Sequence, residues 1–523
     1  MISTRTSRKI KQFPSDARQC TVAARMDAKA DALAVFVSEG SKWQISAQLP
    51  TALQSRLQEL AALGDFKAKA GTVVTCASGS RPGRVIVAGL GKADALNADT
   101  IRWAAAAVAR SARDLKLTNI TILPPTALPE RMGLLQAASL LTEGFMLGSF
   151  AFSEFKTPGE SDETPPTASS PAMQLELLWP TADTLTQARQ AVKNAAIIAN
   201  SANYARYLAC LPGNVAGPTR LVQEARTLAR SVGLSCNIIS ATEARRLGMG
   251  GLLAVGSGSA QPPALIVLRH KGRGKMLGRK PIAVVGKAVT FDTGGISIKP
   301  AADMHAMKYD KCGGMAVLGI MRAVAALELP QPVVGLIPVA ENSVDALSYR
   351  PGDIVRMYNG KTVEITNTDA EGRMILADAL AYACKTLKPA AIIDMATLTG
   401  GVVVALGGVY GGMMCNNDAL GQALIAAGKR TGEWLWQLPL HDRYKPLMKS
   451  PHADIQNSGA REAHPIQGGI FLQYFVDAAV PWAHLDIAGV AHPRKDDRWW
   501  AGDQASGFGV RLMLDYLSQP AGG

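Results

Sequence analysis

The sequence predicts an α/β protein of two domains, the second larger and built on a central mixed sheet flanked by helices. Three observations carry this. Strand-like apolar runs alternate with helical patterns along most of the 523 residues. Several runs, among them Ala264–Leu268, Ile282–Val285 and Val333–Val339, are almost continuously apolar, as strands covered on both faces are. Polar and glycine clusters then follow the strand ends, as in Gly286-Lys287, Glu341-Asn342 and Asp394-Met395-Ala396-Thr397. In open α/β sheets ligands bind at those ends, and a chain of this length exceeds what one core serves.

Residues 1–30 read as a basic tail. Arg5, Arg8, Lys9 and Lys11 precede the first acid, Asp16, without the apolar stretch of a secretory signal. An organelle transit segment is the alternative reading. The N-terminal α/β domain spans 31–183. Its strands are Leu33–Val37, Arg84–Ala88, Asn119–Leu123 and Leu175–Leu178, and its helices run from about Asp99 to Leu115 and over Leu134–Met146. Gly89-Leu90-Gly91 lacks the third glycine of a dinucleotide fingerprint. Lys156–Pro171, rich in proline, serine and threonine, reads as an exposed loop. A long helix over 184–210 connects the domains and ends at Pro212-Gly213-Asn214. The remainder, 211–523, adds strands at Ile392–Asp394 and Ala483–Asp486 to the three apolar runs named above.

Composition excludes several classes. Apolar residues make up 48% and charged ones 19%, as in ordinary globular proteins. No apolar run reaches membrane-spanning length. The seven cysteines (Cys20, Cys76, Cys210, Cys236, Cys312, Cys384, Cys415) never form a Cys-x-x-Cys pair, which argues against a thiolate zinc site or a disulfide framework and for the reducing cytoplasm. The formal charge of +13 leaves weak, salt-sensitive contact with nucleic acid open.

The chemistry centres on Asn367-Thr368-Asp369-Ala370-Glu371-Gly372-Arg373. A β-branched run ending at Thr366 leads into it, and the helical pattern Met374, Ile375, Ala377, Leu380, Ala381 follows. Two carboxylates beside a strand end repel unless a cation lies between them, and a hard divalent ion is the usual one. An acidic first turn of a helix is the plain alternative. Asp292, in Phe291-Asp292-Thr293-Gly294-Gly295, and Asp310, before Gly313-Gly314, also stand by glycine-rich turns. If all four carboxylates converge, their charge matches two divalent cations, which together suit hydrolysis. Each alone reads as a turn or cap residue.

The seven residues at 367–373 resemble the signature of the leucine aminopeptidase (cytosol aminopeptidase) family. Val285-Gly286-Lys287, Phe291–Gly295, Lys299-Pro300 and Met307-Lys308-x-Asp310 are similar to that family too. So are Ala396–Gly400, His484–Gly489 and Gly507–Leu512. The resemblance covers Ala209–Leu517 and is looser before it. It implies a macro-like N-terminal domain and a catalytic metallopeptidase domain. It also implies an aminopeptidase that releases N-terminal residues, with leucine and other apolar ones favoured, using a water held between two ions. Lys287, Asp292, Asp310, Asp369 and Glu371 are then the metal ligands, with Asp292 and Glu371 bridging. Asp369 serves the more exchangeable site, and Lys287 and Asp310 the tighter one. Two nearby cations lower the pKa of Lys287 so that its neutral amine can ligate. Lys299 polarises the scissile carbonyl, and Arg373 holds a bicarbonate that accepts the water's proton. Met307, Thr397, Leu398 and Gly400 line the pocket for the first side chain. Zn, Mn, Mg or Co suit the donors. A hexamer of two trimers is implied as well.

None of the seven histidines forms an HExxH pair, and no Gly-x-Ser-x-Gly elbow is present, so no histidine is given a part. Ala288, Met374 and Lys311-Cys312 depart from the family pattern without touching a ligand. The rival readings are a DNA-binding protein, a non-catalytic structural member, and a cysteinylglycine-type dipeptidase using the same site.

Overall fold

The β-branched and aliphatic runs near the N-terminus become a six-stranded sheet because both of its faces can be covered. The strands are β1 (Cys20–Ala23), β2 (Ala32–Val37), β3 (Val73–Ala77), β4 (Arg84–Gly89), β5 (Asn119–Ile122) and β6 (Gln174–Leu178), in the order β1-β6-β5-β2-β4-β3. All neighbours are parallel except β3 and β4. Alternate residues of β2 divide between two cores. Ala32, Ala34 and Phe36 join α2 (Ala98–Asp114) and α3 (Leu134–Ser149), while Leu33, Val35 and Val37 join α1 (Thr51–Leu63). Asn97 starts α2 with a capping box, its side chain accepting from the N–H groups of Asp99 and Thr100.

This computed structural model describes residues 13, 20–27, 29–40, 42–79, 81–156, 173–492, 502 and 504–519. Most of the basic tail and of the loop expected over 156–171 lies outside the described residues. The tail reading needs one correction. Cys20–Ala23 is a strand, its backbone paired in parallel with Leu175–Leu178 of β6. Four residues of mixed polarity gave no period by which to find it.

The chain divides into two compact units, Met1–Asn200 and Ser201–Gly523. The division falls inside α4 (Leu185–Cys210), within the helix expected to connect the domains. Among the described residues no helix is long and apolar enough to cross a membrane.

The second unit opens with α5 (Pro218–Val232), β7 (Ser235–Ser240), α6 (Ala241–Leu247), α7 (Gly250–Val255), β8 (Ala264–His270), β9 (Ile282–Gly286) and β10 (Ala288–Asp292). It continues through α8 (Cys312–Ala326), β11 (Val333–Asn342), β12 (Ile354–Arg356), β13 (Thr362–Glu364), α9 (Glu371–Tyr382), β14 (Ala391–Ala396) and α10 (Gly400–Leu406). It ends with β15 (Gly411–Cys415), α11 (Asp418–Thr431), β16 (Leu435–Gln437), β17 (Ile455–Gln456), α12 (His464–Gln473), β18 (Trp482–Asp486) and α13 (Val510–Ser518). Nine strands form the main sheet in the order β16-β15-β18-β14-β9-β11-β8-β7, with β10 paired to β11. A small sheet, β12-β13-β17, stands apart.

The centre, β18-β14-β9-β11, is parallel, and the antiparallel neighbours lie outside it. Val284, Val285, Leu336, Ile337, Ile392 and Ile393 have no exposed surface, which explains the unbroken apolar runs. The carboxyl ends of these strands therefore lie side by side. Lys287 sits between β9 and β10, and Asp292, Asn342 and Asp486 are the last residues of β10, β11 and β18.

Candidate active site

At that edge the expected residues come together. Asp292, Asp369 and Glu371 each turn one carboxylate oxygen into a cluster whose atoms all lie within 4.8 Å of one another. Lys287 Nζ stands 2.8 Å from Asp310 Oδ1 and 2.7 Å from Glu371 Oε1, and it donates to the Thr397 carbonyl at 2.9 Å. Lys299 Nζ is 2.9 Å from Asp292 Oδ2 and is ion-paired with Asp369. The five expected metal ligands and Lys299 thus form one connected group, drawn from three segments far apart in sequence.

Local structure sets each side chain. The chain leaves β10 through Gly294 and Gly295, whose φ of +86° and +65° suit glycine. That turn lets Gly294 N–H donate to Asp292 Oδ1 at 2.9 Å and brings the chain back to Lys299. Glu371 is the first residue of α9, next to the unpaired N–H groups of its first turn. Gly372 follows because Lys287 lies against it. A methyl group there would stand 2.6 Å from Lys287 Nζ.

The electrostatics ask for cations. Burial, then repulsion from Glu371 and Asp292, pushes the Asp369 carboxyl up to about 7, against the pull of Lys299. Burial likewise holds Asp310 well above the usual carboxylate range, although Lys287 opposes it. Burial works to lower both lysines, yet the carboxylates outweigh it. Asp310, Glu371 and Asp292 raise Lys287 above the ordinary lysine range, and Asp292, Glu371 and Asp369 do the same for Lys299. Cations set among the same carboxylates reverse that sign at Lys287. Asp310 Oδ2 is buried without a hydrogen-bond partner among the described residues. A buried carboxylate oxygen left in that state is costly. Clustered carboxylates, an orphaned oxygen and one amine make a hard donor set that fits divalent metal ions.

Arg373 lies in the first turn of α9 and is almost wholly buried. It donates from Nη1 to the Asn457 carbonyl at 2.7 Å, and its Nε has no acceptor among the described residues. Burial lowers its guanidinium to about 10, with Glu371 and Asp486 opposing, so it stays charged at neutral pH. Of the four expected pocket residues, Thr397 donates its hydroxyl to Asp310 Oδ1 at 2.7 Å, and Leu398 N–H donates to Asp486 Oδ1 at 3.2 Å. Gly400 opens α10 and is exposed. Met307 is half-buried in a short helical turn, Met304–Tyr309.

Four supporting residues were missed by sequence reasoning. Asn342 donates from Nδ2 to Asp292 Oδ1 at 2.8 Å and to the Thr368 carbonyl at 3.1 Å, tying together two segments that carry expected ligands. Tyr349 donates to that carbonyl at 2.7 Å. Asn457 receives Thr366 N–H at 2.9 Å and donates to the Asn367 carbonyl at 2.6 Å. Asp486 accepts from the Thr399 hydroxyl at 2.6 Å. Only Asn342 and Asp486 carried a signal, as polar residues at strand ends.

The chain is similar to known proteins over nearly its whole length. Residues 203–514 match the catalytic domain of the cytosol aminopeptidase family, and residues 33–159 match that family's N-terminal domain. A "probable cytosol aminopeptidase" of Cenarchaeum symbiosum is 42% identical over 493 residues, 94% of this chain and 96% of that one. One from Roseiflexus castenholzii is 42% identical over 468 residues, 89% and 93% of the two chains. Among solved structures, the bottromycin maturation enzyme BotP in complex with Mn superposes with a TM-score of 0.81 at 33% identity. That match covers 94% of this chain and 99% of the other.

Proposed function

Since the chain belongs to the cytosol aminopeptidase family and is thereby a metal-dependent aminopeptidase, we propose that it removes leucine and other apolar residues from the free N-termini of peptides. Lys287, Asp292, Asp310, Asp369 and Glu371 are the residues that would hold two divalent ions. Zn, Mn, Mg and Co all suit these donors. Bound there, the ions supply Lewis-acid polarisation and a hydrolytic water of lowered pKa.

The chain's own groups do the rest. Lys299 stays an ammonium because three carboxylates surround it, and it meets the negative charge that develops on the scissile carbonyl oxygen. Its side chain is 20% exposed, against 3% for Lys287, so it is the lysine a substrate can reach. Arg373 orients a bicarbonate ion as proton acceptor, for which its unpaired buried Nε is a ready donor. Met307, Thr397, Leu398 and Gly400 receive the first side chain.

One observation supports this reading above the others: three carboxylates converge within 4.8 Å while two lysines of different accessibility flank them. The test is hydrolysis of leucine p-nitroanilide beside its N-acetylated form, before and after chelation. Turnover of the free amine alone, lost with the metal and regained with Mn or Zn, is expected. Equal turnover of the blocked substrate, or indifference to chelation, sinks the reading. We further take the assembly to be a hexamer and the compartment to be the cytosol of the relatives' name. Light scattering at the mass of one subunit, or recovery in a membrane or organelle fraction, contradicts these in turn.

A further inference from the structure

A histidine stands beside this site, although no histidine motif marked one out. His464 is the first residue of α12, and Gly468 is four residues on, so the two share one face of the helix. That face meets the active site. A Cβ placed at Gly468 would lie 2.9 Å from the Leu398 side chain and 3.9 Å from Arg373 Nη2. One placed at Gly401 would lie 3.1 Å from His464 Cβ. His464 is only half-buried, and its imidazole has no hydrogen-bond partner among the described residues.

We propose that His464 and Arg373 together bind a small planar oxyanion of carbonate or carboxylate type. This rests on the reading of Arg373 as the anion-holding residue and adds a second donor to it. Two features point to an anion. Arg373 is buried with Nε unpaired and, among the described residues, has no carboxylate within ion-pair distance. The imidazole on the facing helix is free to donate an N–H, and two donors from separate elements can hold the two oxygens of one planar group. Burial and the neighbouring guanidinium depress the imidazole's pKa, as expected of two donors set to share one negative charge. The anion comes either from free bicarbonate or from an acidic side chain on the first residue of the peptide.

The test titrates bicarbonate into leucine p-nitroanilide hydrolysis and, in its absence, compares glutamate with leucine p-nitroanilide. It uses the metal-loaded wild type, His464→Ala, His464→Gln and Arg373→Ala, with melting temperatures for each. A hydrogen bond to a charged group sets the scale. Losing it should raise the half-activating bicarbonate concentration of His464→Ala roughly tenfold to a hundredfold. His464→Gln, which keeps an N–H, should recover part of this. If only the glutamate substrate loses ground, its KM rising more than its kcat falls, the anion is the side-chain carboxylate and the site stands. Wild-type behaviour of His464→Ala in both arms, with Arg373→Ala insensitive to bicarbonate, overturns the proposal and leaves Arg373's role intact. A normal bicarbonate response in Arg373→Ala removes that role and the proposal with it.

Discussion

Lys299→Ala tests the proposed division between a group that acts on the substrate and groups that hold metal. The substitution removes an ammonium 2.9 Å from Asp292 Oδ2 and paired with Asp369. An oxyanion forming about 4 Å from that charge gains about 4 kcal/mol at an effective dielectric near 20. Screening at a partly exposed lysine makes this an upper figure. Loss of one oxyanion donor elsewhere costs a hundredfold to a thousandfold in kcat, which brackets the same range from below. We therefore expect kcat to fall by about those factors, with KM moving far less. Metal binding should move the other way. Asp292 and Asp369 lose a competing cation, so ion affinity should hold or rise. Steady-state kinetics on leucine p-nitroanilide, metal analysis and a thermal melt read all three quantities on one preparation. Near-normal kcat, or loss of an ion, would refute the division between Lys299 and the ligands.

Asp369→Asn keeps the shape of the side chain but removes a charge from the carboxylate cluster. Turnover should vanish and one ion should weaken more than the other in a competition titration; full activity with two ions bound contradicts the assignment. Gly372→Ala sets a methyl group 2.6 Å from Lys287 Nζ, so the lysine must leave Asp310 and Glu371 or the first turn of α9 must shift. Overpacking of this kind costs about 1–3 kcal/mol, so a lower melting temperature should accompany lost activity and weakened metal binding, and an unchanged melt with normal turnover shows that the contact relaxes freely.

The parts of the fold legible in sequence were those whose signal is local. Ile282–Val285 and Val333–Val339 could be read as buried strands because burial on both faces requires unbroken apolar residues. β15, Gly411–Cys415, is as buried as they are, but Gly-Gly-Met-Met-Cys carries neither period nor β-branching. β10 was hidden for another reason. One residue, Lys287, separates it from β9, and the change from β9's two partners, β11 and β14, to β11 alone is a tertiary event. The order of nine strands likewise has no local signature. The proposed ligands were picked out through motifs that keep their spacing. Their supports were not, because Asn342 and Asn457 act by side-chain bonds to segments 26 to 91 residues away, which leave no pattern in the chain.

The two active-site lysines show why motif matching and geometry are both needed. Both sit in a field of three carboxylates, and both are held charged by it. Charge alone therefore gives them the same role. Confinement separates them. Lys287 is fixed by Asp310, Glu371 and the Thr397 carbonyl, three partners from separate segments, and Gly372 leaves it no space to turn. A side chain so placed cannot follow a substrate and can serve only what lies among its carboxylates. Lys299 has partners on one side, where Asp292 and Asp369 lie, and solvent on the other. In the proposed reading, cations held by those two carboxylates would free its ammonium toward the open side, from which a scissile carbonyl would approach. On this argument the active site owes its direction to the depth at which each lysine is buried.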